Sequence, residues 1–221
     1  MIKTVDLKKT YISRDKEVYA LKGIDLNVEK GDFVSIMGPS GSGKSTLLSI
    51  LGCLDNACQG EYYLDGIDVK KLKDRKRAEL RNRVIGFVFQ SFFLMPRLSA
   101  IENIELPMLY SGISPKERHK KARWLLESVV LLDRADHFPS ELSGGQCQRI
   151  AIARALANDP ELILADEPTG NLDGESSEIV MDIFNFLHNQ GKTIVLITHD
   201  EKIAKKADRF MVIQNGIIKE A

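Results

Sequence analysis

The stretch GPSGSGKST, residues 38–46, decides the fold. Its glycine, four residues, glycine, lysine and serine have the spacing of a loop that binds a polyphosphate. The apolar run Phe33–Met37 before it predicts a short buried strand, and the apolar spacing after it predicts a helix. The inward positions of that helix are expected to be Leu47, Ile50, Leu51 and Leu54. Because a strand precedes this loop and a helix follows it, a chance glycine-rich turn is the weaker interpretation.

In this arrangement the backbone amides of residues 40–45 converge at the positive end of a helix, where they can surround a phosphate. Lys44 can bridge two phosphates as a point charge, and the hydroxyl of Ser45 can take one coordination position on Mg²⁺. Such a loop alone fits a kinase, a GTPase, a helicase or a transporter ATPase. The expected phosphate-binding residues are Gly38, Ser40, Gly41, Ser42, Gly43, Lys44, Ser45 and Thr46.

The remaining patterns predict an α/β fold. Residues 162–165 and Thr193–Thr198 have the composition of buried strands separated by a helix, an order that implies a parallel sheet. Asn215-Gly216, between two apolar runs, predicts an antiparallel hairpin at the end. The intervening helix is expected to bury Ile179, Val180, Ile183 and Leu187, with Gly191 as its cap.

A second, largely helical region is predicted near the middle of the chain. Ser114, Pro115 and Glu117 combine a capping pair with a proline at the first helical position. Its inward face is expected to carry Ala122, Leu125, Leu126 and Val129. The patterns therefore indicate two β regions around an inserted helical segment.

Length and charge remove several classes of protein. The chain has 221 residues, with 31 basic and 31 acidic side chains, so one sizeable core is possible and no global field draws it onto nucleic acid. Its apolar runs are far shorter than the roughly 20 residues of a membrane helix. The opening MIKTVDLKKTY lacks signal-peptide features, and three scattered cysteines form no disulfide framework. We therefore expect a cytosolic, reduced chain without a nucleic-acid partner.

The string LSGGQ, residues 142–146, selects among the phosphate-loop classes. It puts Ser143 where a helix cap belongs and two glycines after it, which predicts a second anion-binding helix end. LSGGQ is the signature motif of the ABC ATPase family, and the sequence resembles that family over nearly its whole length. The resemblance implies an α/β P-loop NTPase (RecA-like) core with a mainly parallel sheet, an N-terminal antiparallel β subdomain and an inserted α-helical subdomain.

The resemblance also implies a division of one ABC ATPase domain, residues 1–221. Residues 1–90 and 141–221 would form the nucleotide-binding core with the antiparallel β subdomain, and residues 91–140 the helical subdomain. LILADE, residues 162–167, resembles the Walker B strand, in which Asp166 holds Mg²⁺ through water and Glu167 is the general base. Gln90 resembles the Q-loop glutamine, which contacts Mg²⁺ and the γ phosphate. His199 resembles the switch histidine.

In such a family the substrate is ATP, with Mg²⁺ held by Ser45, Gln90 and Asp166. Two copies would sandwich two ATP molecules head to tail, and the signature of one copy would close over the γ phosphate of the other. Asn171-Leu172-Asp173 resembles the D-loop that reaches across the dimer, with Asp173 as its site residue, and Tyr11 has the place of the aromatic that stacks on adenine. The signature residues acting in trans would be Ser143, Gly144, Gly145 and Gln146.

Within the family, the string IGFVFQSFFLMPRLSAIENIELPM resembles the branch with macrolide exporters, lipoprotein-release systems and the cell-division cassette. That resemblance implies an integral membrane permease as partner, and a peripheral location at the inner face of the cell membrane. Phe92, Phe93 and Leu94 would help to form the groove for the permease, although a plain core role for them stays open. The alternative function is a non-transport ATPase of this type, such as an iron-sulfur assembly subunit.

Two further features have competing interpretations. The basic run at residues 70–83 could suggest nucleic acid or lipid headgroups, but acidic residues interrupt it and no aromatic residues are interleaved, which favours a solvated helix. Cys147 follows the signature, where it could lie at the dimer interface or be a thiol tolerated on a helix. We assign Cys53 and Cys58 to packing.

Overall fold

The structure is a computed structural model that describes residues 1–13 and 16–220. Its strands, in chain order, are β1 (Ile2–Ser13), β2 (Lys16–Val28), β3 (Phe33–Met37), β4 (Gln59–Leu64), β5 (Ile67–Asp68), β6 (Ile85–Phe89), β7 (Leu162–Asp166), β8 (Thr193–Thr198), β9 (Arg209–Gln214) and β10 (Ile217–Glu220). Its α-helices are α1 (Lys44–Leu51), α2 (Asp74–Val84), α3 (Ala100–Tyr110), α4 (Pro115–Ser128), α5 (Gly144–Ala155), α6 (Gly174–Asn189) and α7 (Glu201–Ala204).

The main sheet has six strands in the order β10-β9-β3-β8-β7-β6. All neighbours in it are parallel except β9 and β10. Parallel strands that are covered on both faces have continuous apolar sequences. Every residue of β8 is buried in this way. The carboxyl ends of β3, β8, β7 and β6 therefore meet at one edge of the sheet. The predicted mainly parallel core is confirmed.

A second sheet, antiparallel throughout, has the order β2-β1-β4-β5. Its long strands β1 and β2 shift register where Asp6 adopts a positive φ of 46°. Inward residues such as Leu7 and Tyr62 join one apolar cluster with Leu47 and Ile197, so this sheet and the main sheet share a core around α1. The expected N-terminal antiparallel β subdomain is confirmed.

The helices α3, α4 and α5 have a separate apolar core. Each begins at a serine whose hydroxyl accepts a hydrogen bond from an N–H of the first turn, which stabilises the helix start. These caps are Ser99, Ser114 and Ser143. The cap predicted at Ser114 and the buried face of Ala122, Leu125, Leu126 and Val129 are confirmed.

Other local predictions have mixed outcomes. The Asn215-Gly216 hairpin is confirmed, since both residues have positive φ, 51° and 78°, as a tight primed turn requires. Leu54 is 51% exposed, because α1 ends at Leu51 and the chain turns away at Cys53. Its predicted inward position is wrong.

A second predicted inward position, on helix α6, is also wrong. Ile179 is 39% exposed, because the buried stripe runs through Val180, Phe184 and Leu187. Ile179 lies about 100° around the helix from Val180. The predicted cap is confirmed, since Gly191 has a φ of 83° just beyond the helix end.

The basic helix α2 buries none of its residues, as a solvated helix would. Its acidic residues pair with its own basic ones: Glu79 with Arg75 and Lys76, and Asp74 with Arg77. Among the helices of residues 1–13 and 16–220, none combines the length and the apolarity that crossing a membrane would need.

Candidate functional site

The loop of residues 38–43 has a backbone that only glycine fits at key points. Gly41 and Gly43 have positive φ values of 77° and 107°. A Cβ on Gly43 would lie 2.5 Å from the carbonyl oxygen of Ala20, and one on Gly38 would lie 2.2 Å from that of Ile213. The glycines therefore let the loop turn tightly between β3 and α1 while touching two neighbouring strands. The first N–H groups of α1, which lack partners within the helix, end in this loop.

Lys44 lies inside the loop, with only 7% of its surface exposed. Its Nζ donates hydrogen bonds to the carbonyl oxygens of Gly38, at 2.7 Å, and Pro39, at 2.9 Å. The ammonium group is thus held at the centre of the phosphate loop by the loop itself. The hydroxyl of Ser42 is buried without a hydrogen-bond partner in the described part of the chain.

The parallel sheet brings the other predicted groups to this loop. Asp166 ends β7 and pairs in register with Phe89, the last residue of β6 before Gln90. His199 directly follows β8, the strand between β3 and β7. Its Nδ1 lies 3.1 Å from Oε1 of Glu167. One edge of the sheet therefore carries the loop, two carboxylates, an amide and an imidazole, where open α/β sheets bind ligands.

The carboxyl group of Asp166 has a raised pKa. Burial raises its pKa, and the adjacent charge of Glu167 raises it further, while Ser45 and Lys44 act in the opposite direction. A divalent cation beside Asp166 would offset this cost. The oxygen donors of Ser45, Asp166 and Gln90 suit Mg²⁺, which binds one or two carboxylates plus substrate phosphates. Among the described residues, no group of three or more His, Cys, Asp and Glu side chains is placed to hold a metal ion.

Gln90 is paired with Asn171, a residue for which no role of its own was predicted. Nε2 of Gln90 donates to Oδ1 of Asn171 at 3.2 Å, and Nδ2 of Asn171 donates to the main-chain oxygen of Gln90 at 3.2 Å. Asn171 belongs to the predicted D-loop. The only sequence feature that could have identified Asn171 as a site residue is a short polar side chain directly after a glycine.

Tyr11 lies on β1 and is partly exposed. Its hydroxyl donates to Oδ2 of Asp55 at 2.9 Å, and Nζ of Lys9 lies 4.9 Å from the centre of its ring. Lys9 itself bonds Oδ1 of Asp55 at 2.7 Å. Burial raises the pKa of the Tyr11 hydroxyl, and contact with Thr46 on α1 opposes this. Tyr11 is therefore fixed beside the phosphate loop by Lys9 and Asp55, a contact that no spacing in the sequence indicates.

The signature residues lie at the start of α5, with different neighbours from the phosphate loop. Ser143 and Gln146 form a reciprocal cap, in which the N–H of Ser143 donates to Oε1 of Gln146 at 2.8 Å and the N–H of Gln146 donates to Oγ of Ser143. A Cβ on Gly145 would lie 2.5 Å from the hydroxyl of Ser176, and one on Gly144 would lie 3.7 Å from Leu172. The signature thus packs against the start of α6.

Asp173, predicted to reach across a dimer, also forms a hydrogen bond within its own chain. Its Oδ1 accepts the N–H of Ser176 at 2.8 Å, which caps α6. This hydrogen bond lowers the pKa of Asp173. Since its side chain is exposed, the cap leaves the residue accessible.

The three cysteines divide into two groups. Cys53 and Cys147 are buried, and burial raises the pKa of Cys53 to about 11 and raises that of Cys147. The sulfur of Cys147 faces the carbonyl oxygen of Pro139 at 3.6 Å, which favours the interpretation as a thiol tolerated on a helix. Cys58 is exposed, so its assignment to packing is wrong.

Comparison with known proteins identifies the family. The family described as "ABC transporter" matches residues 21–170. An uncharacterized ABC transporter ATP-binding protein of Bacillus subtilis, YvrO, is 55% identical over 216 residues, which cover 98% of this chain and 94% of that protein. The macrolide export ATP-binding/permease protein MacB of Brucella abortus is 51% identical over 99% of this chain, which covers only 34% of that longer protein.

A solved structure agrees with the fold. The cassette MJ0796 of Methanocaldococcus jannaschii, as a dimer in a post-hydrolysis state bound to ADP and Pi, superposes with a TM-score of 0.94 at 46% identity, covering 100% of this chain and 98% of that one. The fold is that of an ATP-binding ATPase cassette, a family that uses Mg²⁺. The chain belongs to the ABC transporter family.

Proposed function

We propose that two copies of this chain form a head-to-tail ATP sandwich, and that hydrolysis in it drives a membrane permease from the inner face of the cell membrane. The proposed dimer rests on one observation. The chain has two anion-binding helix ends, and they contact different residues. The start of α1 contacts Ala20 and Ile213, whereas the start of α5 contacts Ser176 and Leu172. One copy therefore offers two half-sites, and a second copy can complete each.

Within one half-site each side chain has a role suited to its position. The loop amides and Lys44 bind the phosphates, and Tyr11 stacks on the adenine. Ser45, Asp166 and Gln90 supply oxygen ligands for Mg²⁺, which when bound neutralises charge that develops on the phosphate oxygens. Glu167 accepts the proton of the attacking water. His199, whose Nδ1 contacts Glu167, can donate a hydrogen bond from Nε2 to the γ phosphate when both ring nitrogens carry a proton.

The second half-site comes from the partner copy. Residues 143–146 of that copy close over the γ phosphate, and Asp173 lies near the dimer seam. Each charge-assisted hydrogen bond lost after hydrolysis weakens closure by about 1.5 to 3 kcal/mol. Losing two or three weakens closure by about 3 to 9 kcal/mol, which changes the dimer equilibrium by about a hundredfold or more, since about 1.4 kcal/mol is tenfold. The dimeric ADP- and Pi-bound MJ0796 cassette supports this arrangement.

The dimer can be tested with a Glu167→Gln variant, which should bind ATP without hydrolysing it. We expect ATP and Mg²⁺ to convert this variant from monomer to dimer in size-exclusion chromatography with light scattering. A second change, Ser143→Arg, should block the conversion without preventing ATP binding. A Glu167→Gln variant that stays monomeric with saturating ATP would contradict the proposal.

A groove beside the site supports the proposal of a permease partner. It has a volume of about 670 Å³ and lies between α2, β6, α3 and the end of α5. Phe87 and Phe89 form part of its wall. The ring of Phe93 packs edge-on against Phe89, yet Phe93 is 63% exposed, as expected of a docking residue at the rim. Leu94, in contrast, packs against the helical core.

The rim of the groove is fixed in an unusual conformation. Phe92 and Phe93 both have positive φ, 60° and 46°, a region that aromatic residues rarely occupy. The half-buried Arg154 donates from its guanidinium to both of their carbonyl oxygens, at 2.7 and 2.5 Å. This turn begins two residues after Gln90, so movement of a permease segment in the groove can reach the metal ligand. Copurification with a membrane permease, and not with soluble scaffold proteins, is the test of this partner.

A further inference from the structure

We infer that Asn171 is a positioning residue that fixes which end of the Gln90 side-chain amide faces the metal. The inference deepens the proposed function, because it rests on Gln90 as a ligand of Mg²⁺. It follows from two hydrogen bonds between these residues, which join the end of β6 to the segment before α6.

The direction of the two bonds follows from elementary chemistry. The main-chain oxygen of Gln90 can only accept, so Asn171 must present its Nδ2 to it. Oδ1 of Asn171 then faces the side chain of Gln90, which must present its own Nε2. Oε1 of Gln90 is left free on the opposite side of the amide. Since Mg²⁺ binds oxygen and not an amide nitrogen, this is the competent orientation.

The surrounding backbone makes the pair specific. A Cβ on Gly170 would lie 2.6 Å from Nε2 of Gln90, so a side chain at this position would push the amide out of its present place. Gly170 also donates its N–H to the oxygen of Glu167 at 3.0 Å, and Leu172 donates to Thr169 at 3.1 Å. These two turns connect Asn171 closely to Glu167 along the chain. Hydrogen-bond partners of metal ligands commonly change metal affinity by about 10- to 100-fold when removed.

The test uses the full-length chain with Glu167→Gln as the background, so that hydrolysis does not confuse the measurement. Mn²⁺ replaces Mg²⁺ and is titrated into the ATP-loaded protein while free Mn²⁺ is followed by electron paramagnetic resonance. We expect Asn171→Ala to weaken Mn²⁺ binding about tenfold. ATP binding measured in EDTA should stay unchanged. Asn189→Ala, which removes an exposed amide at the end of α6, is the matched control and should alter neither value.

A double-mutant cycle separates positioning from a general weakening of the site. If Asn171 acts through Gln90, Asn171→Ala should add less than about twofold to the loss already caused by Gln90→Ala. Full multiplication of the two losses, or an unchanged Mn²⁺ affinity in Asn171→Ala, would overturn the inference while leaving Gln90 a ligand. An unchanged affinity in Gln90→Ala itself would overturn the proposed role of Gln90 and the inference with it.

Discussion

Nδ1 of His199 lies 3.1 Å from Oε1 of Glu167, across the gap between the ends of β8 and β7. Glu167 is held there by its own backbone, which has a φ of 46° and donates its N–H to the oxygen of Ile197 at 2.8 Å. The strand that carries His199 therefore also fixes Glu167. The imidazole and the carboxylate form one unit in this structure, which leaves Nε2 of His199 for another partner.

The first prediction concerns this unit. Replacing His199 by alanine should lower ATPase kcat by about 100-fold or more, because it removes a hydrogen-bond donor to the γ phosphate and the neighbour that orients Glu167. ATP binding should change less than kcat. The comparison is His119→Ala, since His119 is an exposed histidine on α4 paired with Glu105. Equal kcat in wild type and His199→Ala would refute the role.

A second prediction follows from the raised pKa of Asp166. A raised native pKa means that the ionised carboxyl opposes folding above that pKa, whereas the protonated carboxyl below the unfolded pKa does not. In EDTA and without nucleotide, Asp166→Asn should therefore raise the free energy of unfolding at pH 7 to 8. The gain should shrink as the pH falls into the acid range. Denaturant unfolding across pH 4 to 8 measures it, and a gain independent of pH would show that the buried negative charge is not its cause.

A third prediction separates capping from catalysis. Ser143 and Ser114 both cap helices, so Ser143→Ala and Ser114→Ala should each lower the free energy of unfolding by about 1 kcal/mol. Only Ser143→Ala should also lower ATPase activity, because in the proposed dimer only that hydroxyl faces the partner copy. Thermal unfolding and steady-state ATPase assays on both variants test this. Equal activity losses in the two would show that the effect is stability alone.

Several individual strands could be predicted from the sequence, and this was possible for a physical reason. Both Phe33–Met37 and Thr193–Thr198 have the predicted bounds, because continuous apolar runs next to turn residues have few alternatives to a buried strand. The predictions for Leu54 and Ile179 were wrong because the exposure of these residues depends on where a helix ends and how it is rotated. Those features are set by packing partners that are distant in the chain.

The same limit applies to the site. Motif spacing predicted that Lys44, Asp166, Glu167 and His199 belong to one site, and they meet because each lies at or after the carboxyl end of a strand of one parallel sheet. The side chains that orient site residues were not foreseen. Asp55 lies 44 residues from Tyr11, and Asn171 lies 81 residues from Gln90, so these contacts exist only in the folded chain.

A fourth prediction concerns the cysteines. Iodoacetamide at pH 8 should modify exposed Cys58 first, because a pKa of about 11 leaves only about a thousandth of Cys53 as thiolate. Cys147, buried against Pro139, should react slowly and to the same extent with and without ATP. Peptide mass spectrometry on wild type and Cys58→Ser measures each site. Strong ATP protection of Cys147 would instead place its thiol at the dimer interface.

The last prediction concerns Phe93 and the groove. Because the Phe93 side chain is exposed and packs on Phe89, and Arg154 binds the main-chain oxygen that the substitution keeps, Phe93→Ala should leave the basal ATPase activity of the isolated chain within about twofold. Stimulation by the copurified permease in lipid should be lost, since the ring would no longer fill the rim of the groove. Phe186→Ala is the matched control, as Phe186 is equally exposed on α6, away from the residues that line the groove. If Phe93→Ala retained full stimulation, or if Phe186→Ala lost it equally, the permease would not dock at this rim.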